Sequence, residues 1–312
     1  MANKTNHHLR EFAGRGTVWA HVGDASAANL RELSKRLDIH EHDLRDVLPA
    51  LQHTKCIVRP QYLFMVLIFP FYDRNKRVLR ETELDIFLNA KTLITVNHGN
   101  EIRELTEMAD AMTNAAKREL VLSQTPAEVA INLIENIYKS IYPLLVQHTR
   151  DITAVENSVF DEAKRADTIR KILQLKTSNG RARKAMQNHK NTLLVFKAAL
   201  PQFSQGAQHE HISNVINRTI DIWNTLKSQR ESIDSIHTTN ATLLSFRINS
   251  IMKTLTVFSV IIFPLTLLAT IFCMRTAGLP FLNDPNGFWY IIGAMFTVTL
   301  VMLGIFKAKR WL

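Results

Sequence analysis

Thr256, Ser259, Thr266 and Thr270, with Phe263 among them, recur at steps of three and four in an uncharged stretch. On a helix that spacing gathers them into one stripe, which upstream takes in Met252 and Asn249. Small hydroxyl groups in such a stripe suit two kinds of chemistry. They form a close-packing surface between helices, where Ser and Thr are favoured. Alternatively they line an aqueous pathway when several copies turn this face to a common axis. Both readings fit the stripe alone, and the second requires an oligomer, because two helices cannot enclose a pathway.

The 12 histidines are the other groups suited to chemistry. Local clusters occur at His7-His8, His40-Glu41-His42-Asp43 and His209-Glu210-His211. An i, i+2 spacing on a helix splays two side chains apart, so none of these is a preformed metal site. They are expected to be solvated, with His209 and His211 as loose ligands for Zn2+ or Co2+. The two cysteines, Cys56 and Cys273, lie far apart, which excludes a disulfide framework and a cysteine-built zinc site. No phosphate-binding glycine loop, nucleophile elbow or spaced carboxylate pair stands out, so no enzyme is expected.

The stripe lies in the first of two long uncharged runs, residues 254–274 and 288–306. Each matches the roughly 20 residues that a helix needs to cross a bilayer. Between them, residues 275–287 contain Gly278, Pro280, Pro285 and Gly287 and read as a tight outer loop. Arg247 and Lys253 precede the first run, and Lys307, Lys309 and Arg310 follow the second. The positive-inside tendency then places both termini in the cytoplasm. Trp289, Tyr290 and Trp311 suit the interfacial aromatic belt. The N-terminus is polar, without the apolar core of a secretory signal.

The mean hydropathy of -0.05 therefore averages a polar body with a very apolar C-terminal hairpin. The net charge of +10, from 38 Lys+Arg against 28 Asp+Glu, is mostly a thin excess spread over that body. It has no basic run and no interleaved aromatic platform, so nucleic acid is not an expected partner. Within the body, strands are predicted at 17–22, 55–58, 62–69, 78–88 and 92–96, and helices at 26–37 and 41–48. Residues 62–69 are apolar on both faces, as in a covered strand. From Thr125 onward the pattern is helical. Thr125-Pro126-Ala127-Glu128 opens one helix, a second covers 167–200, and a third starts near 208 with neither Pro nor Gly before Pro264. At 1.5 Å per residue the third spans about 100 Å, a rod continuing into the membrane. The expected division is an α/β domain at 1–120, a helical region at 121–247 and a membrane hairpin at 248–312, with a basic tail at 307–312.

The sequence resembles the CorA family of divalent-cation transporters, which includes the ZntB-type zinc transporters. The likeness is carried by Asn249-Ser250-Ile251-Met252-Lys253-Thr254-Leu255-Thr256 with Phe263-Pro264-Leu265-Thr266, by Glu83 to Leu88 with Leu93 to Val96, and by the tail from Lys307 to Leu312. It covers essentially the whole chain and is strongest in the last 65 residues. The resemblance implies an α+β cytoplasmic domain, long helices and two C-terminal transmembrane helices, assembled as a homopentameric funnel in the inner (plasma) membrane. It implies a pore lined by Asn249, Met252, Leu255, Thr256, Ser259, Phe263, Thr266 and Thr270. It also implies no covalent cofactor, and a divalent cation (Mg2+, Zn2+, Co2+ or Ni2+) as transported or regulatory ion. Asn249 and Thr266 would hydrogen-bond the water shell of the ion, which Mg2+ sheds reluctantly. Met252, Leu255 and Phe263 would form apolar constrictions that gate by dewetting.

Two positions depart from the family pattern. Its outer-mouth signature is Gly-Met-Asn, and this chain has Cys273-Met274-Arg275. At roughly 10 Å in water each arginine repels a divalent cation by ~0.8 kcal/mol, about 4 for a ring of five before screening. Snorkelling to lipid headgroups or pairing with Asp284 would relieve this. The family's magnesium-sensing Asp on the long helix falls on Asn214. These departures favour altered ion choice, or a non-conducting sensor or scaffold, as the rival expectation.

Overall fold

The computed structural model describes residues 9–23, 38–48, 53–73, 78–98, 102–161, 165–204, 209–274 and 286–309, without the side chain of His209. The chain divides into two units, Met1–His237 and Thr238–Leu312. The strands are β1 (Leu9–Ala13), β2 (Val18–Val22), β3 (Lys55–Val58), β4 (Leu63–Asp73), β5 (Val78–Leu88) and β6 (Thr92–Asn97). The helices are α1 (Glu41–Val47), α2 (Arg103–Ala111), α3 (Ala115–Leu122), α4 (Pro126–Ser158), α5 (Arg165–Met186), α6 (His189–Phe203), α7 (His209–Cys273) and α8 (Gly287–Ala308). The helix predicted at 26–37 lies outside the described residues.

The strands form one mixed sheet in the order β1-β2-β6-β5-β4-β3. Only β2 and β6 run parallel; the other neighbours are antiparallel. Alternation along β4 sends Leu63, Met65, Leu67 and Phe69 to one face, where they meet Leu133, Ile137 and Ile141 of α4 and Phe196 of α6. Phe64 and Val66 point to the other face, with Val22, Phe87, Ile94 and Val96, under Ile39 and Val47. The doubly apolar pattern of this strand thus has its cause in cover on both sides. β5 behaves differently from its alternating sequence. Its polar positions Thr82, Glu83 and Asp85 are buried instead of facing water, because both of its faces are covered as well.

Polar side chains fix the covering helices. Asp43 of α1 is 1% exposed. It accepts two bonds from the Arg59 guanidinium, at 3.0 and 2.8 Å, and a third from the Tyr62 hydroxyl at 2.5 Å. Burial pushes this carboxyl up, but the bonds from Arg59 and Tyr62 outweigh it and hold it below its ordinary value. Thr125 and Glu128 close the predicted N-terminus of α4 as a reciprocal capping box. Where β1 turns into β2, the chain passes so close to α3 that a Cβ on Gly16 would lie 2.4 Å from the Ser123 carbonyl oxygen. The amides of Gly16 and Thr17 both donate to the Leu122 carbonyl there.

The helix predicted at 167–200 is two helices. The break falls at Gln187 and Asn188, before α6 begins at His189, and Pro201 lies inside α6 instead of ending it. His189 supplies the reason for the break. Its Nε2 donates to the Ile68 carbonyl of β4 at 2.9 Å, and the Tyr138 hydroxyl donates to its Nδ1 at 2.6 Å. A fully buried imidazole with both nitrogens committed fixes the start of α6 against the sheet. The third predicted helix is α7, 65 residues long and unbroken, with Pro264 inside it. The sequence reading did not resolve β1, α2 or α3, which are short, and β1 is largely exposed.

Burial lowers His189, His148 and His21 to about 4, as the largest cause in each case. Between pH 6.5 and about 4 the unfolded chain binds protons at these three positions that the folded chain refuses. Stability is therefore expected to be fully present above pH 6.5 and to fall toward pH 4. Thermal midpoints of the detergent-purified protein across that interval check this. His189→Gln, which removes one titrating ring, should make the fall shallower.

Candidate functional site

The expected pore residues occupy one side of α7. At 100° per residue, Asn249, Met252, Leu255, Thr256, Ser259, Phe263, Thr266 and Thr270 share a sector of about 120°. Met252 is 56% exposed, Leu255 58% and Phe263 74%. Among residues 249–274 only Val257 is buried, while Ile261, Pro264, Leu265, Leu268 and Phe272 are half-buried. These six fall on the side of α7 opposite the stripe. They are where the helix packs within its own unit, which also contains α8. Ser259, half-buried, is the stripe's exception. The hydroxyl stripe therefore does not serve packing within one chain.

The stripe's hydroxyls are oriented by their own helix. Thr256 donates to the Met252 carbonyl at 2.8 Å, Thr266 to Ile262 at 2.9 Å and Thr270 to Leu267 at 2.8 Å. Each hydroxyl hydrogen is committed to the backbone, and the oxygen presents its lone pairs outward. Pro264 removes one amide donor from the same helix without breaking it. Cys273 closes α7 and Met274 follows, both exposed. Arg275 and Asp284 lie outside the described residues.

The remaining expected positions sit at the other end of α7. His211 Nε2 lies 2.7 Å from Glu135 of α4. The same carboxylate contacts Lys139 at 2.9 Å and Arg218 at 3.4 Å. Burial alone would raise Glu135, but hydrogen bonds from Lys139 and His211 hold it below its ordinary value. Asn214 lines a cleft with Glu135, Glu210, His211, Asn217, Arg218 and Asp221. Glu135, Glu210 and Asp221 carry the acidic character of this cleft, and the sequence reading overlooked Glu135 and Asp221. An i, i+7 step from Asn214 to Asp221, two helical turns, was the available signal. His211 is engaged by a carboxylate, and among the described residues it belongs to no group of three metal-ligating side chains.

The N-terminal unit is built on a sheet, the helices that follow it are long, and α7 and α8 are each long and apolar enough to cross a bilayer. Residues 14–310 match the family described as CorA-like Mg2+ transporter protein, and the chain belongs to the CorA family. It is 22% identical over 276 residues to the cobalt/magnesium transport protein CorA of Thermotoga maritima, covering 88% of this chain and 77% of that one. Its fold matches the complete CorA magnesium transporter of Methanocaldococcus jannaschii with a TM-score of 0.82, at 19% identity and covering 95% and 92% of the two chains. The full-length CmaX protein matches with a TM-score of 0.72 at 14% identity, covering 99% and 93%.

The two sides of α7 should respond differently to polarity. Val257→Asn, at the buried position of the packing side, is expected to lower the thermal midpoint of the purified protein by several degrees, as a buried amide without partners costs about 1–3 kcal/mol. Met252→Gln, on the stripe side, should leave that midpoint within about a degree or two of the parent. Differential scanning fluorimetry in detergent distinguishes the two.

Proposed function

We propose that five copies of this chain form an inner-membrane pathway for a divalent cation, with α7 of each copy facing the axis. Both termini are cytoplasmic, the protein is not an enzyme, and its partners are the bilayer, its own copies and the ion. The observation that carries this reading is the position of the stripe. Phe263, Thr266 and Thr270 lie on the side of α7 that its own unit leaves uncovered, and Asn249 to Thr256 belong to a stretch exposed all round. Outward lone pairs there suit the water shell of a cation that is passed hydrated. Met252, Leu255 and Phe263 form apolar rings between the polar ones, where a closed state excludes water.

Reconstituted into liposomes, the protein should pass at least one of Mg2+, Zn2+, Co2+ and Ni2+, read with an entrapped indicator. Silence for all four overturns the proposal. Thr256→Val with Thr266→Val keeps side-chain shape and removes two oxygens. It is expected to reduce flux at least tenfold with oligomer size and helicity unchanged.

Arg275 favours a second reading, in which this member carries a different ion from its relatives or none. A guanidinium can accept no hydrogen bond from an ion's water shell. Arg275→Asn is then expected to change the order of preference among the four ions or raise their rates. An unchanged profile removes Arg275 from the account of selectivity.

A further inference from the structure

The sheet of the N-terminal unit carries a second constellation, independent of the transport reading. Glu83 and Asp85 are two residues apart on β5 and so share a face. The β5–β6 register pairs Asp85 with Val96 and Leu84 with Asn97, so the next step sets Glu83 opposite His98. His98 Nε2 lies 2.9 Å from Asp85 Oδ2 and 3.6 Å from Glu83 Oε1. One ligand atom from each of the three residues lies within 4.8 Å of the others. Both acidic side chains are fully buried, whereas His98 is 12% exposed and marks the route to solvent. Val66 and Val96 flank Asp85 on the two neighbouring strands.

We propose that Glu83, Asp85 and His98 bind one divalent transition-metal ion of the zinc class. Two buried carboxylates, Asp85 between valines and Glu83 opposite Ile68 of β4, converge on one imidazole, and a divalent cation balances their two negative charges. Asp85 Oδ2 faces His98, and Asp85 Oδ1, completely buried, accepts no hydrogen bond, so a lone pair of this buried carboxylate stands without a donor. Bonds of about 2.0–2.2 Å from nitrogen and oxygen to zinc require neighbouring donors about 3.4 Å apart. The Glu83–His98 distance already meets this, and the Asp85–His98 pair has to open by about half an ångström. One imidazole and two carboxylates suit Zn2+ or Co2+. Mg2+, which demands six oxygens in an octahedron and keeps most of its waters, does not fit between the strands. The alternative occupant is a shared proton: burial first, opposed by His98 and aided by Glu83, raises the Asp85 carboxyl to about 7.

The test uses the full-length, chelator-stripped protein in detergent, with Zn2+ in equilibrium dialysis and Co2+ as an optical probe. The parent should bind one more Zn2+ per chain than His98→Gln or Asp85→Asn. Its Co2+ complex should show the intense visible bands of a four- or five-coordinate ion, absent from both variants. Zn2+ should raise the thermal midpoint of the parent and of Asn249→Ala but not of the two cluster variants. Equal zinc counts in the parent and a folded His98→Gln overturn the proposal, whatever the transport result. So does a parent midpoint indifferent to Zn2+ combined with a higher midpoint for Asp85→Asn, the outcome that a shared proton produces. Should Asp85→Asn fail to fold, His98→Gln and the cobalt spectrum decide alone.

Discussion

A helix in hydrocarbon must satisfy its backbone from within, because the bilayer offers no donors or acceptors. That constraint shapes α7 more than any single contact does. Over 65 residues the helix admits one proline and no glycine. The threonines of its apolar half return their hydroxyl hydrogens to carbonyls of the preceding turn. With the backbone closed on itself, the helix is free to be differentiated by face. The side with Val257, Leu265 and Leu268 is used within the chain, and the side with Asn249, Thr256 and Phe263 is not. A stripe of hydroxyls is ambiguous in a sequence; in the structure its apolar-half members face away from the chain's own packing.

The N-terminal unit uses a different economy of polar groups. Apolar cover on both faces of the sheet makes an unmatched buried polar side chain costly. Asp43 receives three donors. His189 joins a sheet carbonyl to a helix tyrosine and thereby fixes where α6 starts. Such groups cost more to bury than the apolar residues around them, but they admit few alternative arrangements and so specify how the helices dock.

Much of this was legible in the sequence. Period-two and period-three-to-four patterns located the central strands, the capping box at Thr125 and the full length of α7, because these depend on local chemistry. The break before His189 was not legible, since its cause is the Ile68 carbonyl, more than a hundred residues away. The burial of Glu83 and Asp85 was not legible for a related reason. Alternation reads as one wet face, and only the assembled cover over β5 turns those acids inward. At the site, the residues of the stripe could be read from spacing, whereas the side of α7 that stays uncovered depends on tertiary packing. Glu135 and Asp221 escaped notice because nothing in their immediate sequence marks them; the cleft exists only once α4 and α7 meet.

The direction of the threonine hydroxyls has a consequence for water itself. A water molecule touching an oxygen whose hydrogen already belongs to the helix can only donate to it. It must turn its hydrogens toward the wall and its own oxygen toward open space. Along Thr256, Thr266 and Thr270 this sets up a layer of aligned dipoles with their negative ends facing away from the helix. In the proposed pathway such a layer would favour a positive ion by solvent orientation alone, without a single carboxylate.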